Sequence, residues 1–279
     1  MIALFAAEST PHISLPAEPI FTVFGFPITN SMITSVIGYA LLLWMLFFVA
    51  GKVKKGNKNR FASMIQWIFE MLYETVEQVA GDKKLAKKIA PISITMFFFI
   101  LLQYWVGILP FVGEVFTWNG VPLFRGAIAD LNVTFALAII TIVLAQVYAI
   151  KELGTMGNIK RYIRNPLKDP AGAFEGFLEL IAEFSRGLAL SFRLFGNVFA
   201  GEILLMMVAF LTTYAAPVAL LPFYVFELFI GAIQAYIFFM LTTVFISLGV
   251  AHGEHGDEAH SNDHSTPKSA KLAATGNDT

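Results

Sequence analysis

The chain has 279 residues, of which 57% are hydrophobic and only 14% are charged, and its mean hydropathy is +0.68. An ordinary soluble domain has a charged fraction nearer a quarter, so this composition excludes that class and indicates an integral membrane protein. Because the chain contains no cysteine, disulfides, thiolate metal sites and cysteine nucleophiles are excluded as well. The formal net charge of −1 says little, since the position of each charge matters more in a membrane.

Five apolar segments are long enough to cross a bilayer, given that roughly 20 helical residues span the hydrocarbon core. In chain order they are residues 28–49, 89–109, 133–150, 171–213 and 218–250. Between the first two, residues 61–80 place apolar and acidic side chains on opposite faces at helical spacing, which predicts an amphipathic interfacial or cytoplasmic helix. We therefore predict an all-α integral membrane protein with about five spans and one amphipathic helix.

The basic residues predict how these spans are oriented. Lys and Arg are concentrated in the first and third loops, whereas the second loop has Arg125 alone and residues 1–27 have none. By the positive-inside rule, the first and third loops and the C-terminus are cytoplasmic and the N-terminus is outside. The chain then divides into an outer N-terminal segment, 1–27, a single membrane domain, 28–252, and a disordered cytoplasmic tail, 253–279.

Two smaller signals lie outside the spans. The sequence Trp118-Asn119-Gly120 is a turn signal between apolar residues and predicts a small hairpin on the outer side. The C-terminal region has four histidines among acidic residues, and one interpretation is a metal site. The other is a solvated low-complexity tail, which we favour because such tracts are only compositional signals. The histidines are His252, His255, His260 and His264. We expect no metal site and no cofactor.

The last two apolar stretches are longer than a span requires. Residues 171–213 contain no proline and would extend about 65 Å as one helix, which a hydrocarbon core of about 30 Å cannot hold upright. Either this helix is strongly tilted, or Gly187, Gly196 and Gly201 break it. The fifth stretch has a milder excess, so we predict that the two form a tilted antiparallel hairpin that turns within residues 214–222.

Arg193 lies in the middle of the fourth stretch, where a permanent charge is costly and functional by default. In a continuous helix it shares one stripe with Glu179, Arg186 and Asn197. Glu202 lies about 14 Å further along the axis and near the opposite face, so it cannot easily neutralise Arg193. On the next segment Glu227 and Gln234, seven residues apart, form a second stripe.

These polar residues have a structural alternative. Buried Arg and Glu can serve only to pair, and Asn or Gln can join helices for about 0.6 to 2 kcal/mol. Taken together, however, two acids and a fixed cation at different depths indicate a path for a small cation with a barrier in it. An acid near the outer surface takes up a proton, Arg193 repels any further cation, and a partner must carry a protonatable carboxylate past it.

The run Arg193-Leu194-Phe195-Gly196-Asn197, followed by Ala200-Gly201-Glu202, resembles subunit a of the F-type ATP synthase, the membrane stator that faces the rotating c-ring. Gln234 within residues 233–238 and the segment 129–134 are similar to that family too, and the likeness extends over about residues 28–251. The resemblance implies a proton-translocating stator subunit with two offset half-channels, which couples ion flow to rotation and ATP synthesis.

The resemblance also implies roles for individual residues. Arg193 would be the essential arginine opposite the c-ring carboxylates. Asn197, Glu202, Glu227 and Gln234 would line or support the half-channels, with Glu202 and Glu227 on the side of proton uptake. Some relatives have histidine where this chain has Glu227. Three weaker candidates lie toward the cytoplasmic exit, where a structural ion pair is an equal alternative: Glu179, Glu183 and Arg186.

The implied partners are the c-ring subunits, the peripheral-stalk b subunits, the rest of the ATP synthase complex and the lipid of a bacterial inner membrane, with no nucleic acid. The chain has no phosphate-binding loop of the Gly-x-x-x-x-Gly-Lys-Ser/Thr type, so we expect it to be non-catalytic, with ATP chemistry elsewhere in the complex. A secondary transporter would need repeats with interrupted helices in matching halves, which the sequence lacks. A membrane scaffold would tolerate replacement of Arg193.

Overall fold

A computed structural model describes residues 17–23, 25–56, 59–109, 112–118, 121–162 and 170–261. The elements are β1 (Pro19–Val23), β2 (Phe26–Thr29), α1 (Asn30–Lys54), α2 (Arg60–Ala80), α3 (Lys83–Ile108), β3 (Gly113–Trp118), β4 (Val121–Phe124), α4 (Leu131–Tyr162), α5 (Pro170–Thr212) and α6 (Ala216–Ser261). Short 3-10 turns precede α4 (Ala127–Ala129) and α6 (Thr213–Ala215).

Within these ranges, five helices are long and apolar enough to cross a membrane: α1, α3, α4 as far as Lys151, α5, and α6 as far as Gly249. The predicted membrane architecture with five spans is confirmed. The remaining helix, α2, is the predicted amphipathic one. Its position at the membrane surface stays a prediction.

The ends of α2 and the start of α3 are determined by capping residues. Asn59 accepts a hydrogen bond of 3.0 Å from the backbone N–H of Phe61, and Gly81 ends α2 with a left-handed φ of 69°. Asp82 then caps α3 by accepting a hydrogen bond of 3.0 Å from the N–H of Lys84. The two-residue linker Gly81-Asp82 therefore ends α2 and caps the start of α3.

Helix α3 is the centre of the bundle and packs against α1, α2 and α6. Phe97 of α3 contacts Phe239 of α6 edge to face, with ring centroids 6.3 Å apart. On the other side, Gly38 of α1 leaves room for the side chain of Gln103, which donates a hydrogen bond of 2.9 Å to the carbonyl of Ser35. Helix α3 is thus held from both sides and gives α6 a fixed surface to pack on.

Helix α5 runs without a break from Pro170 to Thr212, so the interpretation in which its glycines interrupt it is wrong. Successive residues of α5 contact successively earlier residues of α6. Arg186 meets Phe245, Asn197 meets Gln234, and Gly201 meets Glu227. The two helices are therefore antiparallel, while their tilt in a bilayer stays a prediction.

The helix ends differ from the sequence expectation in three places. The turn after α5 is shorter than predicted, because Pro222 lies inside α6 and costs only the hydrogen bond to Val218 near the helix start. Helix α4 breaks at Gly154, where φ is 76° and ψ is 159°. Helix α6 continues to Ser261 and includes residues 253–261 of the predicted tail. The rest of that tail, with His264, lies outside the described residues.

Two short hairpins lie before α1 and before α4. The predicted hairpin at Trp118 is confirmed, since Trp118 pairs with Val121 in the antiparallel pair β3–β4. The pair β1–β2 was not predicted, although Gly25 with its φ of 84° gave a turn signal between β-branched and aromatic residues. Asn30, at the start of α1, donates a hydrogen bond of 3.2 Å to the carbonyl of Pro122 and so ties α1 to β4.

Candidate functional site

Arg193 lies on the outward face of α5. Its side chain is exposed, as are Gly196 and the side chain of Asn197, whereas Leu194 and Val198 are buried against the bundle. Within the described part of the chain, Arg193 forms no salt bridge. The cation therefore faces away from the rest of this chain.

Asn197 and Gln234 join α5 to α6. The side-chain amide of Asn197 donates a hydrogen bond of 2.8 Å to Oε1 of Gln234. Gln234 is only 1% exposed, and its Nε2 is buried with no hydrogen-bond partner among the described residues. The structure thus brings together two of the five residues singled out from the sequence, one helical turn from Arg193.

Glu202 faces the loop between β4 and α4, and not Arg193. Its Oε1 lies 2.9 Å from the position that a Cβ on Gly126 would occupy, and the backbone of Gly126 forms a hydrogen bond with it. Arg125, which is 9% exposed, lies within electrostatic range of the same carboxylate. The expectation that Glu202 does not pair with Arg193 agrees with this geometry, and a different arginine faces it.

Glu227 is 4% exposed and is held between three helices. The hydroxyl of Tyr104 in α3 donates a hydrogen bond of 2.6 Å to its Oε1. The carboxylate lies directly over Gly201 of α5, where any Cβ would overlap it, and it interacts electrostatically with Glu202. The two acids of the predicted uptake side are therefore neighbours, although they come from different helices.

The loop that carries Arg125 is fixed by the start of α1. The backbone N–H of Arg125 donates a hydrogen bond of 3.2 Å to Oγ1 of Thr34, and its guanidinium donates one of 3.4 Å to the carbonyl of Ala129. Ser31 donates a hydrogen bond of 2.8 Å to the carboxylate of Asp130, which also accepts one from the N–H of Asn132. Asp130 thus anchors the loop to α1 and caps the start of α4.

A second polar cluster lies at the other end of α5. The amide of Gln146 in α4 donates hydrogen bonds of 2.5 Å to Glu183 and 2.8 Å to the hydroxyl of Tyr162. Arg186, half-buried, donates to the carbonyl of Ala182 in its own helix and lies over the ring of Phe245, 5.3 Å from its centroid. A small cleft is lined by these groups from α4, α5 and α6. Glu179, one turn before Glu183, is half-buried.

Tyr104 and Arg125 were not recognised as site residues from the sequence. Arg125 did carry a signal, because it is the one basic residue in the second loop, which the positive-inside rule predicts to lie outside and to have few such residues. Tyr104 carried none, since a tyrosine in an apolar span is ordinary and its partner Glu227 is 123 positions away. Only the packing of α3 on α6 brings the two side chains together.

Comparisons with known proteins all point to the same family. A family model described as ATP synthase A chain matches residues 32–247, from α1 to α6. A protein named ATP synthase subunit a from Aliivibrio fischeri (strain MJ11) is 31% identical over 234 residues, which are 81% of this chain and 85% of the relative. A protein of the same name from Chloroherpeton thalassium is 30% identical over 248 residues, which are 85% of this chain and 71% of the relative. Another, from Acidothermus cellulolyticus, is 29% identical over 231 residues, which are 81% of this chain and 79% of the relative. The matched region contains all of the candidate residues.

Proposed function

This chain belongs to the ATP synthase A chain family, and we propose that it is a proton-translocating stator subunit in the membrane sector of an F-type ATP synthase. It provides two offset half-channels and an arginine, Arg193, that faces the carboxylates of the c-ring. Ion flow through it is coupled to rotation and ATP synthesis. The chain itself is non-catalytic, and ATP chemistry takes place on other subunits.

The observation that carries this proposal is the position of Arg193. A guanidinium on an apolar helix stays charged, and leaving it without a counter-charge in a membrane is costly. Because Arg193 is exposed and forms no salt bridge with the residues described, its counter-charge belongs to another chain. A rotor that carries carboxylates past α5 supplies one at each step, and between steps the fixed cation blocks ion leakage.

The uptake half-channel is proposed to run along Glu202 and Glu227. These acids lie within electrostatic range of each other, and we assign them successive steps of proton uptake. Asn197 and Gln234 form the next polar step toward Arg193 and support the path with hydrogen-bonding groups. Toward the exit we assign Glu183, with Gln146 and Arg186 around it, and Glu179 one turn further.

The ion, the membrane and the orientation are assigned from the sequence. One elementary charge that crosses 100 mV releases about 2.3 kcal/mol, so several ions must pass for each ATP. We favour protons over sodium, since no group of described residues near Arg193 resembles a sodium cage. The chain lies in a bacterial inner membrane with its N-terminus outside and its C-terminus in the cytoplasm. It contacts the c-ring and the peripheral-stalk b subunits.

The decisive test is Arg193→Ala in membranes that retain the assembled complex. ATP-driven proton pumping should be lost and the passive proton leak should rise, because the barrier between the half-channels is gone. Arg60→Ala, which removes the same side chain from the exposed start of α2, is the matched control and should pump normally. Unimpaired coupled pumping by Arg193→Ala contradicts the proposal.

A second test concerns the uptake path. Glu202→Gln and Glu227→Gln keep the shape of each side chain but remove its ability to carry a proton, so each should slow proton pumping. Glu74→Gln, on the exposed face of α2, is the control. If both membrane variants pump like wild type, the assignment of the uptake half-channel is wrong while that of Arg193 still stands.

A further inference from the structure

Tyr104 and Trp105 join α3 to α6 through two adjacent hydrogen bonds of different kinds. Tyr104 donates to the side-chain carboxylate of Glu227 at 2.6 Å. Trp105 donates its indole N–H to the backbone carbonyl of the next residue, Leu228, at 3.2 Å. Trp105 therefore tethers one helix to the other, whereas Tyr104 holds a carboxyl group in a defined position.

Two glycines provide the space that this position requires. Gly231 lies one turn beyond Glu227 on α6, and a Cβ there would be 2.5 Å from Cδ1 of Tyr104. Gly201 lies on α5 under the carboxylate, which a Cβ would overlap. The phenol ring can reach α6 only because Gly231 has no side chain, and the carboxylate can reach α5 only because Gly201 has none.

The hydrogen bond determines which way Glu227 points. Its neighbours Val225, Phe226, Leu228 and Phe229 are exposed on the outer surface of α6, so that face is open next to Glu227. Held by Tyr104, which is 1% exposed, the carboxylate instead points inward over Gly201, within electrostatic range of Glu202. A proton relay between two acids needs both to stay within reach of each other, since transfer occurs over hydrogen-bond distances.

We propose that Tyr104 is a positioning residue for proton uptake, which fixes the carboxylate of Glu227 next to Glu202. This inference rests on the proposed function, because the relay is its purpose. It assigns to α3, a helix outside the antiparallel pair α5 and α6, a direct part in the uptake path.

The test is Tyr104→Phe in the assembled complex, with Trp105→Phe as the matched control. The phenylalanine keeps the ring against Gly231 and removes only the hydroxyl, so the rate of ATP-driven pumping should fall about tenfold while assembly is unchanged. Trp105→Phe removes a neighbouring donor between the same two helices and should pump at close to the wild-type rate. Wild-type pumping by Tyr104→Phe overturns the proposal.

A background variant separates positioning from packing. In Glu227→Asp the carboxyl is withdrawn by one methylene from the hydroxyl of Tyr104, so adding Tyr104→Phe should then change the rate less than about twofold. If Tyr104→Phe costs the same tenfold in that background, its effect does not act through the carboxylate and the proposal is wrong.

An infrared measurement gives a readout that does not require pumping. The stretching band of the Glu227 carboxyl, identified by its loss in Glu227→Gln, should shift in Tyr104→Phe and stay unchanged in Trp105→Phe. An unshifted band in Tyr104→Phe contradicts the positioning role. Because Arg193→Ala tests the function separately, failure of the function and failure of this inference give different results.

Discussion

The hydrogen bond of 2.8 Å from Asn197 to Gln234 joins an exposed side chain to a buried one. Asn197 is exposed on the outward face of α5, so its amide is not buried when the bond is lost. Gln234 is 1% exposed and its Nε2 already has no partner among the described residues, so loss of the bond leaves its whole amide buried and unsatisfied. Removing the Asn197 side chain and removing the Gln234 side chain should therefore change the free energy of unfolding by different amounts.

This asymmetry predicts different effects on stability. Asn197→Ala leaves the buried carbonyl of Gln234 unsatisfied and should destabilise the packing of α5 on α6 by about 1–3 kcal/mol. Gln234→Met removes the buried amide altogether and should cost less. Thermal unfolding of the detergent-solubilised complex, followed by the protease resistance of this chain, measures both. A larger loss of stability in Gln234→Met than in Asn197→Ala contradicts this prediction.

Gly201 should not tolerate even one added methyl group. In Gly201→Ala the Cβ overlaps the carboxylate of Glu227, so the variant should lose about 1–3 kcal/mol of stability and should pump more slowly because Glu227 is displaced. Gly51→Ala in α1 is the matched control, since nothing lies within 4 Å of its Cβ position. Pumping and thermal unfolding are compared in the two variants.

The same overlap predicts a compensating change. Glu227→Asp shortens the side chain that Gly201→Ala displaces. Adding Glu227→Asp should therefore reduce pumping and stability less in the Gly201→Ala background than in wild type. Equal losses in both backgrounds would show that the alanine acts somewhere other than on this carboxylate.

The link between Ser31 and Asp130 should stabilise the end of the bundle where α1 and α4 begin. Ser31→Ala removes a hydrogen bond of 2.8 Å from a carboxylate that is 7% exposed, which should cost about 1.5–3 kcal/mol. Ser35→Ala is the control one turn later, because the Ser35 hydroxyl donates to the carbonyl of Ser31 in its own helix, and the backbone carbonyl that accepts from Gln103 is kept in the alanine. A lower Tm for Ser31→Ala alone is expected. Equal Tm values for the two variants contradict the prediction.

The cluster around Glu183 gives a prediction for the exit side. Gln146→Leu removes the amide that donates to Glu183 and frees that side chain, so maximal pumping should fall about threefold to tenfold. Gln78→Leu on the exposed face of α2 makes the same change outside this cluster. Should Gln146→Leu lower the Tm but leave pumping intact, the cluster is structural and the exit path lies elsewhere.

The number of spans could be predicted because it depends on local sequence, whereas α3 begins at Lys83, six residues before the predicted span 89–109. Hydropathy depends on the length of an apolar run, and the caps at Asn59, Gly81 and Asp82 need only neighbouring residues. The continuity of α5 could not be decided in this way. A glycine in an apolar helix can either break it or let another helix approach, and Gly201 does the second because Glu227 fills the space above it.

The partners of the polar residues depend on packing between distant parts of the chain. The spacing of Glu202 relative to Arg193 on one helix was enough to predict that the two do not pair. Which group faces Glu202 instead depends on the loop that Ser31 and Asp130 anchor, and no periodicity encodes that contact. In the same way, Tyr104 reaches Glu227 only through the meeting of α3 with α6.

Because α5 is unbroken, it keeps Glu183, Arg193 and Glu202 on one stiff rod, with about 15 Å of axis on one side of the arginine and about 14 Å on the other. In the proposed function α5 is tilted, so the axial distances between these residues become partly differences in membrane depth and partly lateral displacements along the membrane. A rotor carboxylate that turns past α5 then passes the levels of these three groups in a set sequence, although only Arg193 faces it directly. The inclination of a single helix would thereby fix the order of uptake, blockade and release, and reversing the rotor would reverse that order.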